Sequence, residues 1–439
     1  MIPLHASSPR DPPRRVLHVG LDDTDSKKGM CTTYLAVVLM RELAGRFGGR
    51  LVGHPRLVRL NPNCPYKTRG NAALAFDVEL PEQELGRAKL FVLSQVPAYA
   101  DMKEKGTDPG VAFVTGELPE GLAEFSREVV TRMVSMRHAT STAKKLGIEI
   151  HRFGYGRGII GAMAAMGNSF DSGSTYELIA YRTKEHVGTR RAMDVQSVME
   201  MDRATSTFTF DNFDYGTGEV RIMPHTPCPV YFGIRGTDAS KLEEALKLLR
   251  PAEPVETHMV FKTNQGTDAH IRRATVADVR PGTSVRVRGI VTGKPRTLRG
   301  GHVFFDVSDG TGSIACAAYE PTKGFRSLVA ELREGDAVEV YGGAKKKPRL
   351  PITVNLEKIK VESLAEQVRK KSPPCPECGR SMKSEGKGKG YQCPRCKFRD
   401  GRARPMAVKQ ERRIKEGLYA VPPRARRHLS RPAHLHYQL

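Results

Sequence analysis

Four cysteines near the C-terminus constrain the fold of this chain more than any other feature. They lie as Cys375-Pro-Glu-Cys378 and Cys393-Pro-Arg-Cys396, with fourteen residues between the pairs. Two Cys-x-x-Cys knuckles at that separation can close a tetrahedral thiolate cage around Zn2+. A redox dithiol needs only one such pair in a thioredoxin-like setting, and that setting is absent. Four thiolates leave no open position for water, so the expected role of the metal is structural. The segment 370–401 has few apolar side chains, and metal binding should supply most of its folding free energy, of order 10 kcal/mol in zinc-binding peptides. The remaining cysteines, Cys31, Cys64, Cys228 and Cys316, are scattered singly and read as small buried side chains.

A chain of 439 residues is too long for one core and should divide into three or four domains. Upstream of the cysteines, residues 275–362 alternate in the manner of strands. "SVRVRGIVTG", "HVFFDVSDGTGSIACAAY", "DAVEVYGGA" and "ITVNLEKIKVESL" carry five short strands, with one helical segment, "KGFRSLVAELREG", between them. That order matches an OB-fold barrel. Phe304 and Phe305, with Arg286, Arg288, Lys294, Arg296 and Arg299, could form a stacking and phosphate-binding surface. Alternation requires at least one of the phenylalanines to be core. The run Lys345, Lys346, Lys347 reads as solvated and available to RNA. Beyond the cysteines, residues 402–439 hold ten Lys/Arg against two Glu, including Arg424, Arg426 and Arg427 of "PPRARRHLSRP". The expectation is a basic arm, disordered alone or ordered on RNA. The whole chain carries +23, which favours a polyanionic partner. No apolar run approaches the 18 residues of a membrane span. "MIPLHASSPRDPPRR" lacks the apolar region of a signal peptide, and a cytoplasmic location is expected.

Chemistry is concentrated in the N-terminal half. "RVLHVGL" (15–21) reads as a buried strand, and Leu35, Val38, Leu39 and Leu43 recur at helical spacing after Thr32. The intervening "LDDTDSKKGMCTT" is a strand-to-helix loop, where a helix N-terminus offers N–H groups to an anion. Asp22, Asp23 and Asp25 alone would repel phosphate, but holding Mg2+ they would attract it. Of Thr32 and Thr33, one hydroxyl can cap the helix and the other can face a phosphate. The bland alternative is a turn rich in aspartate caps. No GxxxxGK[ST] sequence is present, which excludes an ordinary P-loop. A second segment, Gly156-Arg157-Gly158-Ile159-Ile160-Gly161, is a formal G-x-G-x-x-G, and close packing explains it as well as a ligand does. Strand 148–153, helix 158–166 and strand 174–182 read as one βαβ. Strand 229–235, helix 238–249 and strand 256–263 read as another, and such a split pair is the ferredoxin-like pattern.

Taken together, "HVGLDDTDSKKGMCTTYLA", "RLNPNCPYKTRGNAA", "GRGIIGAMAA", "TFDNFD", "TPCPVYFGIRG", "GGHVFFDV" and "PPRARRHLSRP" resemble the archaeal tRNA(Ile) 2-agmatinylcytidine synthetase family, from about residue 15 to the tail. The resemblance implies a multidomain α+β chain: an N-terminal α/β kinase-like domain (14–137), a ferredoxin-like domain (138–268), an OB-fold β-barrel (275–362), a C-terminal zinc ribbon (370–401) and a basic arm (402–439). The activity implied is ATP-dependent attachment of agmatine to carbon 2 of the wobble cytidine in the isoleucine tRNA with a CAU anticodon. Phosphorylation would first activate the base, a step that needs Mg2+ and positioning more than covalent machinery. By the resemblance, Asp22, Asp23 and Asp25 are catalytic, and Thr32 matches a threonine that becomes autophosphorylated. Thr33, Gly156, Arg157 and Gly158 are expected at the nucleotide. Agmatine is a dication and needs a local anionic pocket, for which Asp211 and Asp214 are candidates, with turn or cap roles as their alternative. Lys67, Arg69 and Asn71 suit phosphate or RNA. Partners are therefore tRNA and agmatine, with no membrane and no obligate protein partner evident. The other class open to this sequence is a non-catalytic single-strand RNA or DNA binder, for which the C-terminal half would suffice.

Overall fold

The computed structural model describes residues 12–67 and 70–437. Strand β1 (Arg14–Asp22) leads through the acidic loop into helix α1 (Thr32–Phe47), followed by β2 (Arg56–Arg59), β3 (Ala72–Pro81), α2 (Leu85–Tyr99) and β4 (Gly110–Thr115). The helix ends where Gly48 turns left-handed at φ 62° and its N–H reaches Leu43 O, a conformation that glycine adopts without penalty. Leu17, Val19 and Leu21 of β1 pack with Leu74, Phe76, Val78 and Leu80 of β3 and with the apolar stripe Leu35–Leu39–Leu43 of α1. The sheet order is β4-β1-β3-β2, and β1 pairs antiparallel with both of its neighbours. The N-terminal unit is thus an antiparallel split-βαβ fold rather than a parallel α/β sheet.

The next elements lie between the two units in sequence and join the first sheet in space. Strand β5 (Glu149–Arg152) pairs with β4, and helix α3 (Ile159–Met166) packs on β1 and β3. Both pack with the strands of the N-terminal unit, while strand 148–153 and helix 158–166 are expected in the first βαβ of the ferredoxin-like domain. The small residues explain the placement. A Cβ on Gly20 would lie 2.3 Å from Ala162 O, and one on Gly161 would lie 2.0 Å from Asp22 Oδ2. Only a glycine and alanine face lets α3 settle directly on β1.

The ferredoxin-like unit begins later: β6 (Thr175–Arg182), α4 (Val195–Thr205), β7 (Thr209–Phe210), β8 (Val230–Gly236), α5 (Leu242–Lys247) and β9 (Val255–Thr263). Its order, β9-β6-β8-β7, repeats that of the first unit. The two units share one sheet, because β9 runs parallel to β2 with Lys262 opposite Arg56 and Thr263 opposite Leu57. The described residues form ten strands in this sheet.

The barrel follows the expected order. Strands β10 (Ser284–Val291), β11 (Val303–Ser308), β12 (Ser313–Ala318), β13 (Ala337–Lys345) and β14 (Thr353–Ser363) close through β10–β11 pairing, with helix α6 (Gly324–Val329) between β12 and β13. Phe305 is buried and Phe304 half-buried, as alternation requires. Strands β15 (Val368–Lys371) and β16 (Met406–Lys409) pair at the base of the cysteine module. The residues after it do not form a free arm. Strand β17 (Gly417–Ala420) adds to the barrel beside β14, and the chain from 421 crosses to the ferredoxin-like unit. The physical reason is charge pairing with acidic side chains, described below.

Candidate active site

A cavity of about 600 Å3 opens at the seam between the two sheet units. Asp22, Asp23, Asp25, Thr32, Thr33, Lys67, Asn71, Arg157, Gly158 and Asp211 all line it. Asp22 and Asp211, 189 positions apart in sequence, therefore share one chamber.

The acidic wall is the loop after β1. Asp23 adopts φ 62°, which a short polar side chain tolerates, and its N–H donates to Asp22 Oδ1 at 2.7 Å. Asp23 Oδ2 in turn accepts the Asp108 N–H at 3.1 Å. Burial, then the charges of Asp23 and Asp25, raise the Asp22 carboxyl well above its ordinary range. Asp23 is pushed up to about 7, first by burial and then by Asp25 and Asp108, against the Asp108 N–H and Arg157. Carboxylates deprived of water and crowded together are stabilised by a nearby cation, and hard oxygen donors suit a divalent one.

Helix α1 starts beside this cluster. Cys31 at its N-cap makes no side-chain cap, and Cys31, Thr32 and Thr33 all line the cavity, so the helix N-terminus borders it. Thr32 is buried, and its hydroxyl accepts from Thr24 Oγ1 at 3.0 Å. The Thr33 hydroxyl lies 3.0 Å from Cys31 Sγ. In the glycine segment, Gly158 lines the cavity, while Gly156 does not and serves the turn at φ 69°. A Cβ on Gly158 would fall 2.5 Å from Asp22 O. The segment thus meets both of its readings, close packing and proximity to the site.

The opposite wall is cationic and was not foreseen. Glu177, almost fully buried on β6, lies 3.1 Å from Arg235 Nε and 3.6 Å from Arg59, and accepts from Gln265. Arg59 first, then burial, Arg235, Lys67 and Arg221, push the His428 imidazole well below its ordinary value. A usable signal was present: Glu177 is a lone charge in the apolar strand "TYELIAY", and such charges are buried only when paired. Arg59, Arg235 and His428 lie inside "RLNPNCPYKTRGNAA", "TPCPVYFGIRG" and "PPRARRHLSRP", but nothing in those stretches shows that the three meet.

Two expectations need correction. Asp214 does not line the cavity: it accepts from Gly216 N at 3.0 Å and Arg424 N at 3.3 Å, so it is a turn and anchor residue. Asp211 does line it, but its carboxylate already holds the guanidinium of Arg426. Arg427 reaches Asn63 Oδ1 at 3.0 Å and Glu357 at 3.3 Å. The three arginines expected on a loose arm instead tie the tail to the ferredoxin-like unit, the barrel and the loop after β2.

The Lys67 residue is largely open to solvent, but its ammonium turns in to donate to Pro62 O at 2.6 Å, and partial burial there, then Arg427 and Lys345, hold it below its usual range. A cationic track therefore runs from the cavity mouth to the β13–β14 connection, where Lys345, Lys346 and Lys347 are exposed. Arg296 and Arg299 are exposed on the barrel, with Arg296 paired to Asp306 at 3.0 Å. Asn71 donates to Asn61 O and shapes its loop, and Arg69 lies outside the described residues. In the cysteine module the four sulfurs lie within 4.8 Å of one another, with Cys375 3.4 Å from Cys396 and Cys378 3.5 Å from Cys393. That donor set fits Zn2+. Among the described residues, no helix is long and apolar enough to cross a membrane.

Comparison with known proteins adds independent findings. Residues 18–82 match the TiaS TCKD domain, 156–270 the TiaS FLD domain, 285–362 an OB-fold nucleic acid binding domain and 372–414 the TiaS C-terminal zinc ribbon domain. The tRNA(Ile2) 2-agmatinylcytidine synthetase TiaS of Methanocaldococcus jannaschii is 43% identical over 426 residues, covering 96% of this chain and 99% of that protein. A crystal structure of the TiaS–tRNA(Ile2)–ATP complex superposes with TM-score 0.85 at 42% identity, covering 95% of this chain and 97% of the other. The TiaS–tRNA(Ile2)–AMPCPP–agmatine complex gives 0.83 at 40%, covering 95% and 96%.

Proposed function

Because the chain belongs to the TiaS family, we propose that the seam cavity is where ATP, agmatine and the target cytidine of tRNA(Ile2) meet. The protein is an ATP-dependent ligase that joins agmatine to that cytidine, and its zinc ribbon carries Zn2+. The observation that carries the placement is the cavity's two-sided charge, three carboxylates on one wall and Arg59, Arg235 and Arg157 around the rest. A non-catalytic RNA binder has no use for the acidic wall.

In this reading the modified base is the wobble cytidine, and its 2-oxo group leaves only after phosphorylation. The γ-phosphoryl group of ATP moves to that oxygen. The agmatine amine then attacks carbon 2, loses a proton and displaces phosphate. Asp22, Asp23 and Asp25 would hold Mg2+, which neutralises charge on the transferring phosphate when bound. The α1 N-terminus and Arg157 orient the triphosphate, and Thr32 presents its hydroxyl to it. Lys67 and Lys345–Lys347 guide the tRNA backbone to the mouth. Asp211 can take a guanidinium only if Arg426 gives way, so its use for agmatine requires the tail to shift.

The test is incubation with ATP, Mg2+, agmatine and the CAU-anticodon isoleucine tRNA, followed by nucleoside mass spectrometry. Agmatine mass on cytidine is expected from the parent chain and not from Asp22→Asn. Equal incorporation by both would remove the acidic wall from the chemistry. Thr32→Val, which deletes the hydroxyl, should abolish labelling of the protein by γ-phosphate while ATP still binds.

A further inference from the structure

Two tyrosines at the cavity mouth have no part in the chemistry above. Tyr66 and Tyr155 line the cavity, yet 57% and 53% of their surfaces are exposed. Large aromatic side chains left open at a concave site cost apolar hydration unless something covers them. Between them stands Arg157, its guanidinium 4.0 Å from the Tyr66 ring centre and 5.3 Å from that of Tyr155. Aromatic rings interleaved with a planar cation offer π-faces at which an unstacked base can lodge.

The surroundings hold Tyr155 in place while leaving its ring in solvent. Its N–H donates to Asp108 Oδ1 at 3.1 Å, and its carbonyl accepts Arg152 Nη2 at 2.7 Å. Gly154 and Gly156 on either side have φ 63° and 69°, so the backbone turns sharply around this one residue. Asp108 links the turn to the acidic wall: its N–H donates to Asp23 and its carbonyl accepts from Gly158 N at 2.9 Å. The backbone of Tyr155 is therefore fixed relative to the carboxylates, and its ring is flanked by Arg152 at 5.9 Å and Arg157 at 5.3 Å. Exposed rings on a held backbone beside a phosphate-handling centre are what a base-stacking subsite needs, because their faces are open to an incoming base.

We propose that Tyr66 and Tyr155, with Arg157 between them, form a stacking platform for a nucleobase. This rests on the reading of the cavity as a nucleotide and RNA site. The base belongs either to ATP or to the tRNA anticodon loop, and both have the same recognition chemistry.

The test uses the full chain and equilibrium binding, so it does not depend on turnover. Tyr66→Leu and Tyr155→Leu keep bulk and lose the π-face, and Tyr→Phe at each position keeps the ring. Both sites are exposed, so folding should be preserved, which melting of each variant checks. ATP with Mg2+ is titrated by calorimetry. The CAU tRNA is titrated by filter binding, alongside the same tRNA lacking the wobble base. Each Leu variant should bind one of the two ligands about tenfold more weakly, with Phe close to the parent. Loss toward ATP assigns the adenine. Loss toward tRNA that disappears with the abasic tRNA assigns the wobble base, and loss that persists with it assigns a neighbouring base of the loop. Unchanged affinity for both ligands in both Leu variants would overturn the proposal, as would Phe variants as weak as Leu. A parent chain that fails to incorporate agmatine but shows this stacking loss would refute the functional reading and leave the platform standing.

Discussion

Asp23→Asn tests the acidic wall through stability as well as activity. Asparagine tolerates the left-handed backbone at φ 62°, and its side-chain oxygen can still accept the Asp108 N–H. What changes is the charge. The Asp23 carboxyl sits at about 7 in the folded chain against an ordinary 3.8. Between those values the folded chain holds a proton that the unfolded chain has lost, so stability falls as pH rises through this window. Above about pH 7 the full penalty is present. Three units correspond to about 4 kcal/mol as an upper bound, reduced by relaxation and by water in the open cavity. For a cooperative unit of roughly 250 residues, 1 kcal/mol moves Tm by about 2 °C. In EDTA at pH 8, Asp23→Asn should therefore melt higher than the parent by between about 2 and 8 °C, and the gap should close toward pH 4. Adding Mg2+ should raise the parent's Tm more at pH 8 than at pH 5 and raise the variant's much less. Activity should fall by about a hundredfold or more, as for a loss of a few kcal/mol at the transition state. The variant would thus be more stable and nearly inactive. A variant that melts at or below the parent in EDTA at pH 8 would refute the assignment of that penalty to Asp23. A full Mg2+ response in the variant would refute its role as a ligand.

Cys393→Ser should release zinc, measured by a chromogenic chelator, and weaken tRNA binding while calorimetry still shows ATP binding, since the ribbon packs its own small core. Gly161→Ala puts a Cβ 2.0 Å from Asp22 Oδ2, so either α3 or the carboxylate must move; a loss of about 1–3 kcal/mol in chemical denaturation is expected together with loss of activity. Replacing Lys345, Lys346 and Lys347 by alanine should lower tRNA affinity and flatten its salt dependence by roughly one unit per lost phosphate contact, read from filter binding at several salt concentrations.

The parts legible in the sequence were those whose signal is local. The two cysteine knuckles, the barrel's alternation and the strand-to-helix aspartate loop each announce themselves within about twenty residues. The ferredoxin-like pattern was legible as a type but not in its membership. Strand 149–152 and helix 159–166 precede β6 in sequence, and nothing in their periodicity says which sheet they join. The glycine and alanine face of α3 carried that information, but only in combination with Gly20 on β1. The tail misled for a related reason. A surplus of arginine is visible in a window of residues, whereas the carboxylates that neutralise it, Asp211, Asp214 and Glu357, lie elsewhere in the chain.

The seam explains why the site needs both units. Strands β2 and β9 share backbone hydrogen bonds, so the acidic wall of one unit and the Glu177–Arg235 floor of the other are set by one sheet. The tail adds a second tie through Arg426 and Arg427. In the proposed reaction two reagents address the same base in succession, one polyanionic and one dicationic. No single uniformly charged pocket could favour both. A rigid chamber with opposite charge on facing walls can hold the base still while each reagent approaches from the wall that attracts it, and fixing reacting groups in this way is itself a large part of a rate enhancement. Two separate domains joined by a flexible linker would lose that advantage, and this accounts for a sheet that runs unbroken through the centre of the molecule.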